Sequence, residues 1–322
     1  MNPVNETATF VVPHWSENMS YTCTFLNEAI ESIMNQSDPD WQMIIIDDAS
    51  PCLEAKPYLL DLQSKHPDRI AVVLNESNLG PGGCRNVGIA MAYERSSPFI
   101  LFNDADDLSH SNRLQTVRTI LQRNPGVDVV YTSFQVIDEH GGYVGKDKLT
   151  ASIIEILDSH EDHPVQGPEA WIEMGTMTGY TNLTSATAVR TSLAYKYRFP
   201  DVRVSEDYYA WLLYSAGGGD YAYASGIHSK YRIPQQTGSA TRARLKQYYA
   251  EKARVDEMGF LEALRIAGEK DECYSEPEIV NALLYKFYVR LSETLVKERE
   301  FHLANEQMLK AERCMINPGG SL

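Results

Sequence analysis

The sequence predicts an α/β fold: a mostly parallel sheet covered by helices on both faces, followed by a helical C-terminal region. Three observations carry this. Short runs rich in Ile and Val alternate with amphipathic helical stretches over residues 8–132. The stretches between those runs have the length of crossover helices, which join parallel strands. From about residue 240 the apolar residues recur at helical spacing.

The elements follow in order. "ATFVVP" (8–13) is a short apolar strand stopped by Pro13, and a helical stretch follows with Phe25, Leu26, Ala29, Ile30, Ile33 and Met34 at three- and four-residue spacing. "WQMIIIDD" (41–48) is the second strand and "CLEAKPYLLDLQSKH" (52–66) its helix. "RIAVVLN" (69–75) with "GGCRNVGIAMAYER" (82–95), and "SPFILFND" (97–104) with "SNRLQTVRTILQRN" (111–124), repeat the pattern, and "GVDVVYTSF" (126–134) is the fifth strand. The regularity then weakens. "HGGYVGKD" (140–147) reads as a turn between short strands, 150–174 as short helices, and "SEDYYAWLLYSAGGGD" (205–220) as a helix ended by a glycine run. In "EIVNALLYKFYVRLSETLVKEREF", Val280, Leu284, Phe287, Leu291 and Leu295 share one face. The expected division is one domain over 1–239, with halves at about 8–134 and 135–239, and a helical region over 240–322. The apolar stripe of that region covers the main domain or, in a homodimer, a second subunit.

Composition narrows the function. The 322 residues are 43% hydrophobic and 23% charged, values of a folded globular chain. A formal charge of −15 argues against a nucleic-acid surface or an anchor to anionic lipid. No apolar run approaches the roughly 20 residues of a spanning helix, and "MNPVNETATFVVP" does not read as a signal peptide. The five cysteines (23, 52, 84, 273 and 314) are odd in number and form no CxxC, which points to a reducing cytoplasm.

The chemistry is concentrated where a buried strand, Phe99 to Phe102, runs into Asp104, Asp106 and Asp107. Like charges this close cost stability unless a cation or ligand compensates them. Asp104-x-Asp106 on a strand end suits Mg²⁺ or Mn²⁺, hard ions that take one or two carboxylates and complete their shell with water and phosphate oxygens. The bland alternative is a solvated acidic turn ahead of the helix from Ser111. An EF-hand loop is excluded, because Leu108 and Ser109 stand where it needs an oxygen ligand and a glycine. "IIIDDAS" puts a second acidic pair on another strand end, and "NLGPGGCRNVGIAMA" (78–92) supplies a glycine-rich turn, Arg85 and a helix start suited to an anion. Taken singly, Asp48 could equally cap a helix and Arg85 be a solvated first-turn residue.

In order and spacing, "FVVPHW", "IIDDAS", "NLGPGGCRNVG" and "FILFNDADD", followed by "NLTSATAVRTSL" (182–193) and "VSEDYYAWLL" (204–213), resemble glycosyltransferase family 2, the inverting enzymes of Rossmann-like GT-A fold. The resemblance spans residues 8 to about 235. It implies a hexosyl- or acetylhexosaminyl-transferase that takes a nucleotide-sugar donor, UDP favoured, and a glycan or small-molecule hydroxyl acceptor. Pro13 and Asp48 would then face the nucleobase, and Arg85 the base or phosphates. Asp104 and Asp106 would hold ribose and the Mn²⁺ or Mg²⁺, with Asp106 the more direct ligand. Asp207 would be the catalytic base and Glu206 its neighbour at the acceptor. Two departures stand out. Pro234 occupies the place of a frequent family histidine, leaving His228 as a speculative third metal ligand, and "QQTGSATR" (235–242) lacks the tryptophan of processive synthases. A nucleotidyltransferase is the enzymatic alternative, but "PHWSENMS" (13–20) has none of the Gly, Arg or Lys its first loop would carry. A catalytically inactive glycan- or nucleotide-binding protein would be expected to have lost Asp106 or Asp207, and both are present.

Overall fold

The computed structural model describes residues 6–235, 245 and 247–316, so the expected boundary at 239/240 lies outside the described residues. Strands β1 (Ala8–His14), β2 (Trp41–Asp47), β3 (Ile70–Leu74), β4 (Phe99–Phe102), β5 (Val127–Ile137), β6 (Thr187–Arg190) and β7 (Asp220–Arg232) form one sheet in the order β3-β2-β1-β4-β6-β5-β7. All pairings are parallel except those of β6, which runs antiparallel to both β4 and β5.

Alternation along each strand divides the core in two. Val11, Ile44, Ile46, Ile100 and Phe102 point to one face, and Phe10, Val12, Met43, Ile45 and Leu101 to the other. Three helices cover the second face through Ile30 and Ile33 of α1 (Asn27–Met34), Leu59 of α2 (Ala55–Lys65) and, after the next crossover, Leu114, Val117 and Leu121. The first face takes the helix α3 (Gly80–Glu94), which approaches closely because residue 88 is a glycine: a Cβ there would lie 2.4 Å from Val11 Cγ1. The chain thus moves outward from β1 to β3, then crosses back to β4 on the other side of β1. Ligands of open α/β sheets bind in the crevice at such a reversal, beyond the carboxyl ends of the strands.

Helix α4 (Arg113–Arg123) carries the three apolar residues just named and returns the chain to β5. Short helices follow, α5 (Ala151–Asp162), α6 (Ala170–Glu173) and α7 (Thr191–Lys196), and then α8 (Glu206–Gly217), almost wholly buried. The C-terminal region is α9 (Tyr248–Lys270), α10 (Pro277–Lys297) and α11 (Phe301–Ile316). Its stripe is buried within this chain. Leu284, Phe287, Leu291 and Leu295 share one apolar cluster with Val11, Ile46 and Trp211, and Val280 packs at its margin. Phe260 of α9 stacks on Phe287 of α10 with centroids 4.5 Å apart, and meets Trp171 at 5.6 Å. No helix among the described residues is long and apolar enough to cross a membrane.

The sequence pattern does not reveal two strands. β6 is only four residues, "TAVR", and sits between longer neighbours. β7 is rich in Tyr and Ser rather than Ile and Val, and a bulge around Gly226 shifts its register on β5 between Thr132 and Ser133. Two side chains of the first helical stretch also differ from the apolar-face expectation: Met34 is exposed, and Phe25 lies under the Arg232 guanidinium, 4.5 Å from it.

Because Phe260 is fully buried where α9, α10 and the sheet share one cluster, Phe260→Ala should cost about 3–5 kcal/mol of unfolding free energy. Urea denaturation with an unchanged slope checks this. A loss below about 1 kcal/mol would mean that the C-terminal helices fold apart from the sheet.

Candidate active site

The glycine-rich turn is organised by Asp48. Its carboxylate accepts hydrogen bonds from the N–H groups of Leu79 (2.7 Å) and Gly80 (2.8 Å), at the start of α3, and from Asn75 (3.0 Å). Those are orphan donors of the helix N-terminus, so the capping role is the one Asp48 fills here. Gly80 has φ of +77°, the left-handed region, and a Cβ there would also strike Arg203, which donates to Asn78 across the turn. Behind this lies a buried network in which the His14 ring and the Ser50 hydroxyl bond Asp47. Burial would raise the Asp47 pKa, but these hydrogen bonds outweigh it and hold it below the usual carboxylate range. Pro13 sits half-buried at the end of β1.

Arg85, one turn into α3, is 3% exposed. Its two terminal nitrogens ion-pair with Asp104 (2.8 Å) and Glu206 (2.9 Å), and it lies over the Phe199 ring. A buried guanidinium paired through both terminal nitrogens, its Nε left without a hydrogen-bond partner, replaces the solvated first-turn arginine that the sequence also allowed. One side chain therefore ties the end of β4 to the start of α8.

The acidic loop after β4 is braced rather than freely solvated, with Asp107 buried and Asp104 and Asp106 half-buried. The Asn103 amide donates to the carbonyls of Asp104 and Asp107, the Asp104 N–H donates to Ser185 Oγ (2.9 Å), and the Arg232 N–H donates to Asp107 (2.8 Å). Arg232 also donates through Nε to the Asp106 carbonyl (2.9 Å) and pairs with Glu28. Below the loop, Arg113 is fully buried and donates to the carbonyls of Phe102 and Thr187; burial lowers its pKa to about 9, so it stays a cation at neutral pH. Burial first, then the charge of Asp104, pushes Asp106 up to about 6, while the Tyr21 hydroxyl bonds its carboxylate. Burial, then the charges of Asp106 and Asp104, hold Asp107 well above its ordinary value.

Helix α8 begins with Ser205 in the left-handed region at φ 59°. Its hydroxyl does not cap the helix but donates to Asp256 of α9. Asp207 accepts from the Tyr208 N–H (2.8 Å), from the Tyr180 hydroxyl and, more weakly, from Thr184 Oγ1 (3.4 Å). Burial raises the Asp207 pKa to about 6, against the opposing pull of Arg85.

Asp104, Asp106, Arg85, Glu206 and Asp207 are thus brought together, with Pro13 and Asp48 at the ends of the adjoining strands. His228 is not part of this cluster. It lies beside Ser133 on β7 and in the electrostatic field of His110 and His160, four residues before Arg232, or about 13 Å of strand at ~3.3 Å per residue. Several residues that sequence reasoning left aside join the site: Tyr21, Tyr180, Tyr231, Arg113, Ser185 and Arg232. The Tyr231 hydroxyl sits in the field of Asp104, Asp106, Asp107 and Asp207, which together with burial raises its pKa. The tyrosines had no motif to mark them. Trp171, Trp211, Tyr208, Tyr214 and Tyr221 are core, each at most 2% exposed.

Around this crevice the carboxylates of Glu28, Asp104, Asp106, Asp107, Glu206 and Asp207 outnumber the guanidinium groups of Arg85, Arg113 and Arg232. An all-oxygen donor set with surplus negative charge fits a hard divalent cation. Among the described residues no group of three His, Cys, Asp or Glu side chains forms a ready cage. The protein would therefore offer one or two carboxylates, and the remaining ligands would come from water and a bound substrate.

An open, mostly parallel sheet with an acidic loop and a glycine-rich helix start over its carboxyl edge, closed by C-terminal helices, is a GT-A fold. The chain belongs to glycosyl transferase family 2, whose sequence model matches residues 9–182, and it is a glycosyltransferase. An uncharacterized glycosyltransferase of Methanocaldococcus jannaschii is 25% identical over 226 residues, 70% of this chain and 72% of that protein. Several further relatives are matched over less than half of their own length. Among solved structures, S. aureus TarS 1–349 in complex with UDP-GlcNAc superposes with a TM-score of 0.58 at 14% identity, covering 95% of this chain and 89% of that one. The mannosyltransferase PcManGT from Pyrobaculum calidifontis, in complex with GDP-Man and Mn²⁺, gives 0.52 at 13% identity over 99% and 77%.

The raised pKa of Asp106 has a consequence for stability. In metal-free protein the folded state binds the proton more tightly than the unfolded state, so this group's contribution to stability falls as pH rises through the window from about 4 to about 6. In chelator, Asp106→Asn should therefore melt close to the parent at about pH 3.5, below that window, and above it at pH 7.5. A variant that is equally destabilised at both values would mean that Asp106 ionises without cost.

Proposed function

We propose that the chain is a metal-dependent, inverting, non-processive glycosyltransferase moving a sugar from a nucleotide-sugar donor, UDP favoured, to an acceptor hydroxyl. The observation that carries this is Arg85 paired at once with Asp104 and Glu206, which sets donor-side carboxylates and the helix bearing Asp207 around one crevice. Pro13 and the turn shaped by Asp48 would flank the nucleobase. With both Asp48 oxygens engaged, its contribution is the shape of that turn. Asp106, with Asp104 beside it, would hold Mn²⁺ or Mg²⁺, which when bound would offset the charge developing on the leaving diphosphate. TarS with UDP-GlcNAc supports a UDP donor, and PcManGT with GDP-Man and Mn²⁺ supports a metal and names the competing nucleotide.

Asp207 then takes the proton of the acceptor hydroxyl as its oxygen attacks the anomeric carbon, opposite the departing diphosphate. One displacement inverts the anomeric centre, so no enzyme nucleophile is required. A base of pKa about 6 is mostly ionised at neutral pH and still basic enough to accept that proton. Tyr180 and Thr184 fix the direction in which the carboxylate points. The acceptor would be a glycan or small molecule that brings a hydroxyl to Asp207. Five free cysteines support a reducing compartment, the cytoplasm.

Asp207→Asn keeps the side chain's size but cannot accept the proton, so turnover should fall by about 10²-fold or more with UDP affinity nearly unchanged. In the parent at saturating donor and Mn²⁺, kcat at pH 5 should be roughly a tenth of its plateau, as the base protonates. Near-normal turnover in Asp207→Asn would refute the base. Calorimetric titration of UDP and GDP, with Mn²⁺ and then with chelator, tests the rest. Equal affinities in the two conditions would refute the metal assignment, and tighter GDP binding would reverse the nucleotide preference.

A further inference from the structure

The C-terminal helices reach the residues on either side of Asp207. Asp256, fully buried on α9, accepts the Ser205 hydroxyl on one oxygen and pairs with Lys252, one turn earlier, on the other. Ser205 immediately precedes Glu206 and holds a left-handed φ of 59°. Such a conformation is unfavourable for a residue with a Cβ and persists where its surroundings hold it. The same helix presses against α8 at Gly259, where a Cβ would come within 3.1 Å of the Tyr209 Cα.

A second contact comes from α10. Arg290 is buried, donates through Nε to the Gly175 carbonyl (2.9 Å), and places Nη2 3.4 Å from the Tyr208 hydroxyl. Its Nη1 lies against Gly179, at φ +75°, where a Cβ would come within 2.8 Å. Gly179 directly precedes Tyr180, whose hydroxyl bonds Asp207. The backbone before Asp207, the residue after it and the loop carrying its hydroxyl partner are thus all held from the C-terminal helices.

We propose that Asp256 is a positioning residue: through the Ser205 hydroxyl it sets the backbone turn that aims Asp207, while Arg290 braces the opposite side through Tyr208 and the Gly179 turn. This rests on Asp207 being the base. The donor carboxylates hang from β4, on the far side of Arg85, so a slackened turn at Ser205 acts on the proton-transfer geometry more than on donor binding. Small displacements of a catalytic group cost rate steeply.

The test measures UDP release from whichever of UDP-glucose, UDP-galactose and UDP-N-acetylglucosamine is hydrolysed fastest with Mn²⁺, alongside calorimetric binding of UDP. Asp256→Ala should lower kcat at least tenfold, with donor KM and UDP affinity within twofold of the parent. Asp256→Asn, which keeps an oxygen for Ser205, should restore most of the loss. Ser205→Gly tolerates the left-handed φ, leaves the Asp256–Lys252 pair intact and removes only the hydroxyl tether, so it should also lose kcat. It answers the question if Asp256→Ala does not fold. Parent-like kcat in Ser205→Gly or Asp256→Ala would overturn the proposal, as would a parallel loss of UDP affinity that Asp256→Asn fails to relieve. Asp207→Asn separates the two readings. If it turns over normally the base assignment fails; if it is inactive while Ser205→Gly and Asp256→Ala are normal, only the positioning role fails.

Discussion

A guanidinium withdrawn from water must be paired on the spot, and Arg85 is 3% exposed. Because it satisfies that requirement with one carboxylate from the end of β4 and one from the start of α8, two elements more than 100 residues apart in sequence are fixed against each other. Its own place is set by packing. Gly88 lets α3 lie directly on Val11, and Asp48 holds the first turn by its N–H groups. The order of cause runs from helix–sheet contact, through a capped turn, to an ion-pair bridge that assembles the site.

The arrangement is electrostatically costly. Burial and mutual repulsion raise the pKa of Asp106, Asp107 and Asp207 together, so each resists ionisation in the metal-free fold. Arg113 and Arg232 relieve part of this, mainly by bracing the loop's backbone and Asp107 rather than by neutralising Asp106. A site that folds with surplus negative charge is prepared for a cation, and stability given up there must be recovered elsewhere. The large apolar cluster shared by the sheet, α8 and the C-terminal helices is where this chain recovers it.

Much of this could be read from the residues. The strands β1 to β5 follow from Ile- and Val-rich runs, because a strand buried on both faces must be apolar throughout. Arg85, Asp104, Asp106, Glu206 and Asp207, which the resemblance to the family marks as candidates, are residues that the fold brings together. What could not be read was set by tertiary context. β6 is too short to carry a period, and β7 trades Ile and Val for Tyr and Ser around a bulge. Tyr21 and Arg232 reach the acidic loop, and Tyr180 reaches Asp207, only because tertiary packing brings them there. His228 shows the converse: proximity in sequence to the right segment placed it as a candidate, and the length of strand between it and Arg232 keeps it away.

The central claim is a division of labour across Arg85, with donor and metal on the β4 side and proton transfer on the α8 side. Anomalous X-ray diffraction from crystals grown with UDP and Mn²⁺ tests it most directly. The account predicts one Mn²⁺ peak bonded to the Asp106 carboxylate and to diphosphate oxygens, with Asp207 free of metal on the opposite side of the crevice. A Mn²⁺ bound by Asp207 or Glu206, or UDP seated away from the β1–β4 crevice, would contradict it.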